Sequence, residues 1–124
     1  MPLKARILCT EDDVDTRDIL CAILEMHGFE VICAKDSTQA IDLATATKFD
    51  LYLLDNWLPG MTGDDLCRKL RGIDPITPVL FYSGAAYDSD KARALAAGAQ
   101  GYVVKPADPE DLVREISRLI PSKE

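Results

Sequence analysis

The sequence has a single histidine, no long apolar segment, no closely spaced cysteine pair and fewer basic than acidic residues. No segment is long or apolar enough to span a membrane. The early apolar run in MPLKARILCT is too short for a secretory signal peptide, so we predict no targeting signal. The 14 basic and 21 acidic residues leave a net charge of −7, which argues against direct nucleic-acid binding. With 124 residues, 48% of them hydrophobic and 28% charged, the composition predicts one globular domain.

The four cysteines are widely separated along the chain, at Cys9, Cys21, Cys33 and Cys67. Structural zinc sites usually have closely spaced ligand pairs, and the only histidine, His27, stands apart from the cysteines. We therefore expect four reduced, buried thiols in a cytoplasmic protein. We expect His27 to lie on the surface at the end of a helix and to have no part in the chemistry.

Five short apolar runs alternate with longer amphipathic segments. The runs are RILCT (6–10), EVICA (30–34), DLYLL (50–54), PVLFY (78–82) and GYVV (101–104). The first, third and fourth lack polar alternation, which is typical of strands buried on both faces. Helices are predicted between the runs, where apolar residues recur at helical spacing. These residues are Ile19, Leu20, Ile23 and Leu24, then Ala40, Ile41 and Ala44, then Leu66, Leu70 and Ile73, and finally Leu112, Ile116, Leu119 and Ile120.

Residues that favour helix ends lie at the predicted boundaries. Asp13 is expected to cap the first helix, Ser37 opens the second, and Asp108 caps the last with a proline directly after it. Gly28 and Gly98 lie where helices should stop.

Alternating strands and helices predict an α/β fold, with a mostly parallel sheet between two helical layers. We predict a three-layer (βα)5 sandwich with the flavodoxin-like strand order 2-1-3-4-5, as one domain over 1–124 with a folded core of about 4–120. A half-Rossmann unit is less suitable, because no glycine-rich turn follows the first strand. The predicted order makes the first and third strands neighbours, so we expect a site in the loops after strands one, three, four and five.

Polar residues follow these four strands at once: Glu11-Asp12, Asp55, Ser83 and Lys105. Three close carboxylates would repel one another by roughly 4 kcal/mol per pair at an effective dielectric constant near 20. Lys105 can offset one charge, and an all-oxygen site for the remainder favours Mg²⁺. Asp12 and Asp55 would be direct ligands, and Glu11 would hold a metal-bound water. Asp55 could then be the nucleophile of phosphoryl transfer, with Ser83 and Lys105 contacting phosphoryl oxygens.

Taken together, these motifs resemble those of a response-regulator receiver domain over nearly the whole chain. They are the acidic pair Glu11-Asp12, Asp55 in LLDNWLPGMTG, Ser83 in FYSGA, Lys105 in GYVVKP, and Tyr102 three residues before that lysine. The resemblance implies that Asp55 is the phospho-acceptor and that the backbone carbonyl of Trp57 is a further Mg²⁺ ligand. It also implies that Ser83 and Tyr102 form a switch pair. Glu11 and Ser83 stand where the family has Asp and Thr, and each keeps the needed oxygen.

The resemblance implies a two-component signalling module in which phosphorylation changes a protein–protein surface. The phosphoryl group would come from a sensor histidine kinase, a phosphotransfer protein or a small phosphodonor. The module would not be an enzyme, apart from catalysing its own phosphorylation and dephosphorylation at Asp55. A homodimer through the fourth helix, fifth strand and fifth helix is a hypothesis by analogy only.

Three alternatives stay open from the sequence. The chain could be a receiver module of a larger DNA-binding regulator or hybrid histidine kinase. An aspartyl-phosphate phosphatase would need a second Asp two residues after the nucleophile, where Trp57 stands. A flavin or dinucleotide binder would need a phosphate cradle after the first strand, where the acids would repel a phosphate.

Trp57 is an unusual residue for an acidic loop, and we expect its side chain to lie outside the core. We hypothesise that its ring shields the phosphorylation site from the hydrolytic water. Ala85, two residues after Ser83, has no polar group to orient that water. The sequence therefore predicts slow self-dephosphorylation.

Overall fold

The computed structural model describes residues 4–120 and contains five strands and five helices in strict alternation. The strands are β1 (Arg6–Thr10), β2 (Glu30–Ala34), β3 (Leu51–Leu54), β4 (Val79–Ser83) and β5 (Gly101–Val104). The helices are α1 (Val14–Met26), α2 (Ser37–Ala46), α3 (Gly63–Ile73), α4 (Asp88–Ala96) and α5 (Pro109–Leu119). Residues 1–3, which belong to the segment with no predicted targeting signal, and residues 121–124 (PSKE) lie outside the described residues.

The five strands form one parallel sheet in the order β2-β1-β3-β4-β5. The predicted flavodoxin-like topology is confirmed, and β1 and β3 are neighbours with Cys9 opposite Leu53. Because every strand runs in the same direction, the loops that follow the strands all leave from one edge of the sheet.

The core has two layers, one on each face of the sheet. One layer packs α2, α3 and α4 against the sheet, with Leu8, Leu54 and Phe81 at its centre. The other packs α1 and α5, with Ile7, Leu53 and Leu80 at its centre. Strand residues therefore alternate between two apolar layers, which is why the central strands have no polar alternation.

Two residues that helped to predict helices lie outside the core. Ile19 is 61% exposed, because Leu20 and Leu24 form the buried side of α1. Ile73, the last residue of α3, is also exposed. Among the helices of the described part of the chain, each is too short or too polar to cross a bilayer.

The helix starts agree with the predicted caps except in one detail. The Asp13 carboxylate accepts a hydrogen bond at the start of α1, and the Asp108 carboxylate does so at the start of α5. Ser37 is the first residue of α2, but the cap is Asp36, whose carboxylate accepts a hydrogen bond from the Gln39 N–H at 2.8 Å. An Asp at the N-cap also interacts favourably with the helix dipole.

The predicted helix ends at Gly28 and Gly98 are confirmed. Both glycines have positive φ angles, +89° and +112°, which residues with a Cβ adopt only with strain. His27, directly before Gly28, is exposed, and its Nδ1 lies 2.8 Å from the backbone oxygen of Ile23. His27 therefore lies on the surface at the end of α1, as predicted.

The cysteine prediction is wrong for two of the four residues. Cys9 and Cys67 are free and buried, as expected. Cys21 and Cys33, however, are joined by a disulfide and are only half-buried. The bridge joins α1 to β2, and it forms because α1 packs over this side of the sheet. Spacing along the chain could not indicate that contact.

Gly63 brings the start of α3 into direct contact with the loop after β3. Its N–H donates to the backbone oxygen of Asn56 at 3.0 Å. A Cβ at this position would lie 2.3 Å from the backbone oxygen of Asp55 and 2.8 Å from the Phe81 ring. The absence of a side chain therefore allows α3 to support the Asp55 loop.

We expect Gly63→Ala to lower the free energy of unfolding by about 1–3 kcal/mol, because the added methyl group overpacks this contact. Gly72→Ala is the matched control within the same helix, since a Cβ there meets nothing within 4 Å. That change should be neutral or stabilising by up to about 1 kcal/mol. Urea denaturation measures both values, and equal stability of the two variants would contradict the packing argument.

Candidate functional site

The predicted site residues meet at the carboxyl edge of the sheet. Glu11 and Asp12 directly follow β1, and Asp55 directly follows β3. Ser83 is the last residue of β4, and Lys105 directly follows β5. Four separate segments of the chain thus supply polar side chains to one edge, as the strand order predicts.

Three carboxylates lie close together at this edge. One oxygen each of Glu11, Asp12 and Asp55 can be chosen so that all three lie within 4.8 Å of one another. Glu11 and Asp55 retain only 4% and 7% of their accessible surface, whereas Asp12 is exposed. Two of the three negative charges are therefore shielded from bulk water, which strengthens their repulsion.

Backbone hydrogen bonds hold the two buried acids in place. The Glu11 N–H donates to the backbone oxygen of Ala34 at 3.1 Å, so the pairing of β1 with β2 continues one residue past β1. The Asp55 N–H donates to the backbone oxygen of Thr10 at 3.3 Å in the same way. These contacts fix the backbone of Glu11 and Asp55, and so they keep the two carboxylates close despite the repulsion between them.

Lys105 supplies the positive charge that the cluster needs. Its Nζ lies 3.2 Å from Glu11 Oε2 and 3.4 Å from Asp55 Oδ2, and 5.4 Å from the centre of the Tyr82 ring. The Lys105 N–H donates to the backbone oxygen of Ser83 at 2.9 Å, which ties the residue to the end of β4. One ammonium thus balances one of three carboxylates.

The pKa values of Glu11 and Lys105 reflect this crowding. Burial raises the pKa of Glu11 to about 7, and the hydrogen bond with Asp55 and its negative charge act in the same direction. For Lys105, burial alone would lower the pKa, but the charges of Asp55 and Glu11 outweigh it and raise the pKa above its ordinary value. The lysine therefore stays charged, and Glu11 holds its proton to a higher pH than an ordinary carboxyl group does.

The donor set fits a Mg²⁺ ion. The cluster offers carboxylate oxygens only, one side of it is open to solvent through Asp12, and it has more negative than positive charge. Mg²⁺ prefers oxygen ligands and keeps several of its waters, so a half-open oxygen site suits it. A divalent cation would also favour the ionised form of Glu11, against the burial and the Asp55 charge that raise its pKa.

Trp57 lies beside the cluster and outside the core. Its N–H points to Asp55 Oδ1 at 3.4 Å, and 62% of its surface is exposed. The prediction that the ring is not a core residue is confirmed. The roles of its carbonyl and its ring stay predictions.

Ser83 and Tyr102 are linked through Ala85. The Ser83 side chain is completely buried, and its Oγ accepts a hydrogen bond from the Ala85 N–H at 3.2 Å. The Tyr102 hydroxyl donates to the backbone oxygen of Ala85 at 2.6 Å, and the ring stacks on Phe81 at 5.6 Å between centroids. Burial raises the pKa of Tyr102, so its hydroxyl stays protonated and can donate this hydrogen bond. Both side chains therefore bond to the same residue of the loop between β4 and α4.

The sequence did not indicate a second charged group next to the site. Asp64 and Asp90, near the starts of α3 and α4, are buried, and Arg93 lies between them. Its Nε is 3.4 Å from Asp64 Oδ2, and its guanidinium also pairs with Asp90. Acidic residues are common in first helical turns, so no pattern distinguished these two.

A cavity of about 560 Å³ lies away from this site, at the amino end of the sheet. Its lining includes Lys4, Arg6, Phe49 and Thr77, and it contains none of the predicted site residues. Its position does not support a role in the chemistry of the acidic cluster, which is shallow and partly open.

Comparison with known proteins places the chain among signalling domains. Residues 7–117 match the family model for the response regulator receiver domain. The DNA-binding response regulator MtrA of Mycobacterium tuberculosis is 35% identical over 114 residues, which are 92% of this chain and 50% of MtrA. The chain therefore spans about half the length of the curated relatives it matches.

Solved structures agree with this assignment. The CheY-like receiver domain from Methanospirillum hungatei JF-1 superposes with a TM-score of 0.89 at 32% identity, over 94% of this chain and 93% of that one. The receiver domain of the sensor histidine kinase PA1611 from Pseudomonas aeruginosa PAO1 has a TM-score of 0.87 at 27% identity, over 94% and 98% of the two chains. That structure has a magnesium ion coordinated in its active-site cleft.

Without divalent cations, we expect the free energy of unfolding to fall as the pH rises from about 4.5 to about 7. The folded state keeps a proton on Glu11 that the unfolded chain releases at lower pH, so deprotonation favours unfolding. Glu11→Gln should remove this dependence, which is roughly 3–4 kcal/mol for a pKa raised from 4.5 to about 7, since one unit of pKa corresponds to about 1.4 kcal/mol.

Urea denaturation at several pH values in the presence of a chelator measures the effect. Asp65→Asn is the matched control, because Asp65 is exposed and pairs only with nearby groups of α3. The control should keep the wild-type pH dependence. A Glu11→Gln variant with an unchanged pH dependence would show that Glu11 titrates normally.

Proposed function

Since this chain belongs to the response regulator receiver domain family, we propose that Asp55 accepts a phosphoryl group in a Mg²⁺-dependent reaction. The chain is a receiver domain of two-component signalling, and such domains are generally signalling modules rather than enzymes. The observation that carries the proposal is the meeting of Glu11, Asp12 and Asp55 with Lys105 at one edge of the sheet.

The proposed Mg²⁺ ligands are Asp12, Asp55 and the backbone carbonyl of Trp57. Glu11 would contribute through a water molecule that is bound to the metal. The magnesium ion in the PA1611 receiver domain supports this assignment, since that domain shares the fold. When bound, Mg²⁺ would neutralise negative charge on the cluster and on the phosphoryl oxygens.

In the proposed reaction, an Asp55 carboxylate oxygen attacks the phosphorus of a phosphohistidine or of an acyl phosphate. The new P–O bond forms as the bond from phosphorus to the leaving group breaks, and the leaving group keeps that electron pair. Lys105 exchanges one of its carboxylate contacts for a phosphoryl oxygen, and the Ser83 hydroxyl donates to another. The remaining work is positioning, which the backbone contacts of Asp55 provide.

The proposed output is a shift between two packings of the loop between β4 and α4. Ser83 and Tyr102 both bond to the backbone of Ala85, so a Ser83 hydroxyl drawn toward a phosphoryl group would disturb the Tyr102 contact. A preference of a few kcal/mol for one packing is enough to move most of the population. The surface formed by α4, β5 and α5 would change with it.

We propose that the protein is cytoplasmic and that a sensor histidine kinase or a phosphotransfer protein is the donor. Another protein or an output domain would receive the signal. A homodimer through α4, β5 and α5 is part of the same proposal. The alternative, a receiver module within a larger DNA-binding regulator, agrees with the length of MtrA. A phosphatase is disfavoured, because the Trp57 side chain cannot act as a general acid.

Incubation with acetyl phosphate and Mg²⁺ should add one phosphoryl group to the wild type, measured by intact mass. Asp55→Asn should take up none, because an amide oxygen is a poor nucleophile, and Asp65→Asn should react as the wild type does. Omission of Mg²⁺ should slow the reaction by at least tenfold, which corresponds to about 1.4 kcal/mol of activation free energy. Phosphorylation of the Asp55→Asn variant would place the acceptor elsewhere.

Trp57→Ala should shorten the lifetime of the phosphorylated protein several-fold, because the ring proposed to shield Asp55 would no longer limit access of water. The proposal is supported by the exposed side chain and by the Trp57 N–H, which lies 3.4 Å from Asp55 Oδ1. Decay is followed by mass after removal of the phosphodonor. Ile76→Ala is the control, since Ile76 is an exposed apolar residue at the amino end of the sheet. Equal decay of the wild type and both variants would rule out shielding by Trp57.

A further inference from the structure

The four cysteines differ sharply in their access to solvent. Cys9 and Cys67 are completely buried free thiols, and the Cys67 sulfur donates to the backbone oxygen of Ala97 at 3.4 Å. Cys21 and Cys33 are half-buried and bonded to each other. An oxidant or reductant in solution can therefore reach the bridged pair and not the other two.

The bridge connects the two elements that hold the backbone of Glu11. From α1, the Arg17 guanidinium donates to the backbone oxygen of Glu11 at 3.1 Å. From β2, the backbone oxygen of Ala34 accepts the Glu11 N–H at 3.1 Å. Cys21 lies one turn beyond Arg17 on α1, and Cys33 directly precedes Ala34.

These contacts form a closed ring of covalent and hydrogen bonds. It runs from the Glu11 backbone through Arg17 and α1 to Cys21, across the disulfide to Cys33, and back through Ala34 to Glu11. The chain itself joins α1 to β2 through residues 27–29, at the ends of both elements that are far from Glu11. The disulfide adds a second covalent link, which is closer to Glu11 along both elements. The covalent bond therefore limits how far Arg17 and Ala34 can separate around Glu11.

We propose that Cys21 and Cys33 are a reversible redox site whose disulfide holds Glu11 in place for Mg²⁺ binding. The oxidant is a low-molecular-weight disulfide of the glutathione class. One protein thiolate attacks it to give a mixed disulfide and one small thiol, and the second protein thiolate then displaces the other small thiol. Two electrons pass to the oxidant, and the two protons lost by the protein thiols end on the two small thiols. A disulfide in a protein of the reducing cytoplasm is typically of this transient, redox-sensing kind.

The first test concerns the thiols alone. The wild type is equilibrated with reduced or oxidised glutathione, treated with a maleimide under native conditions, and analysed by intact mass and peptide mapping. The reduced form should take up two labels, at Cys21 and Cys33, and the oxidised form none. Labels at Cys9 or Cys67, or equal labelling of both forms, would overturn the proposal.

The second test concerns the effect of the disulfide on the acidic cluster. It rests on the proposed Mg²⁺ site but not on the proposed phosphorylation of Asp55. Mg²⁺ binding, followed by the fluorescence of Trp57, the only tryptophan, should be several-fold weaker in the reduced protein. Cys33→Ser should behave as the reduced form under both redox conditions. Equal Mg²⁺ affinity of the oxidised and reduced wild type would overturn the link between the disulfide and Glu11.

Phosphorylation by acetyl phosphate separates the two proposals. A several-fold slower reaction of the reduced form would extend the link to the chemistry. If neither form is phosphorylated while the Mg²⁺ affinity still depends on the redox state, the proposed function fails and the redox site stands.

Discussion

The electrostatic crowding at the carboxyl edge of the sheet is the constraint on which the rest of this domain depends. Glu11, Asp12 and Asp55 lie within a few ångströms of one another, with Lys105 as their cation. Left to themselves, these charges would separate, because mutual repulsion and burial both disfavour ionised carboxylates. The fold has to supply the free energy that keeps them together. A bound cation would relieve this repulsion, which is why the cluster suits Mg²⁺ and the phosphoryl transfer proposed above.

The sheet supplies that free energy through its own hydrogen bonds and its two apolar layers. Backbone hydrogen bonding continues one residue past the ends of β1 and β3. The backbone of Glu11 is therefore fixed by Ala34, and that of Asp55 by Thr10. Gly63 then allows α3 to pack directly on the Asp55 backbone. Close-packed cores deform little, so a carboxylate that is anchored in this way cannot easily move away from its neighbours.

A row of side chains connects the site with the far side of the sheet. Thr10, Leu54, Phe81 and Tyr102 are register partners on successive strands from β1 to β5, and they lie on the same face. The row ends at the stack of Phe81 and Tyr102, whose hydroxyl is bonded to the loop that also holds Ser83. In the proposed switch, this packed row would be the shortest connection from Asp55 to α4 and β5.

The sequence by itself determined the strands, the helices, their order in the sheet and the edge at which Glu11, Asp55 and Lys105 meet. These properties follow from apolar periodicity and from the parallel direction of the strands, which are local or topological. Only the tertiary structure decided the Cys21–Cys33 bridge, since it depends on how α1 lies over β2. It also decided that burial, together with the hydrogen bond and the charge of Asp55, raises the pKa of Glu11. Distances between side chains on different elements are set by packing, and no pattern along a single chain contains them.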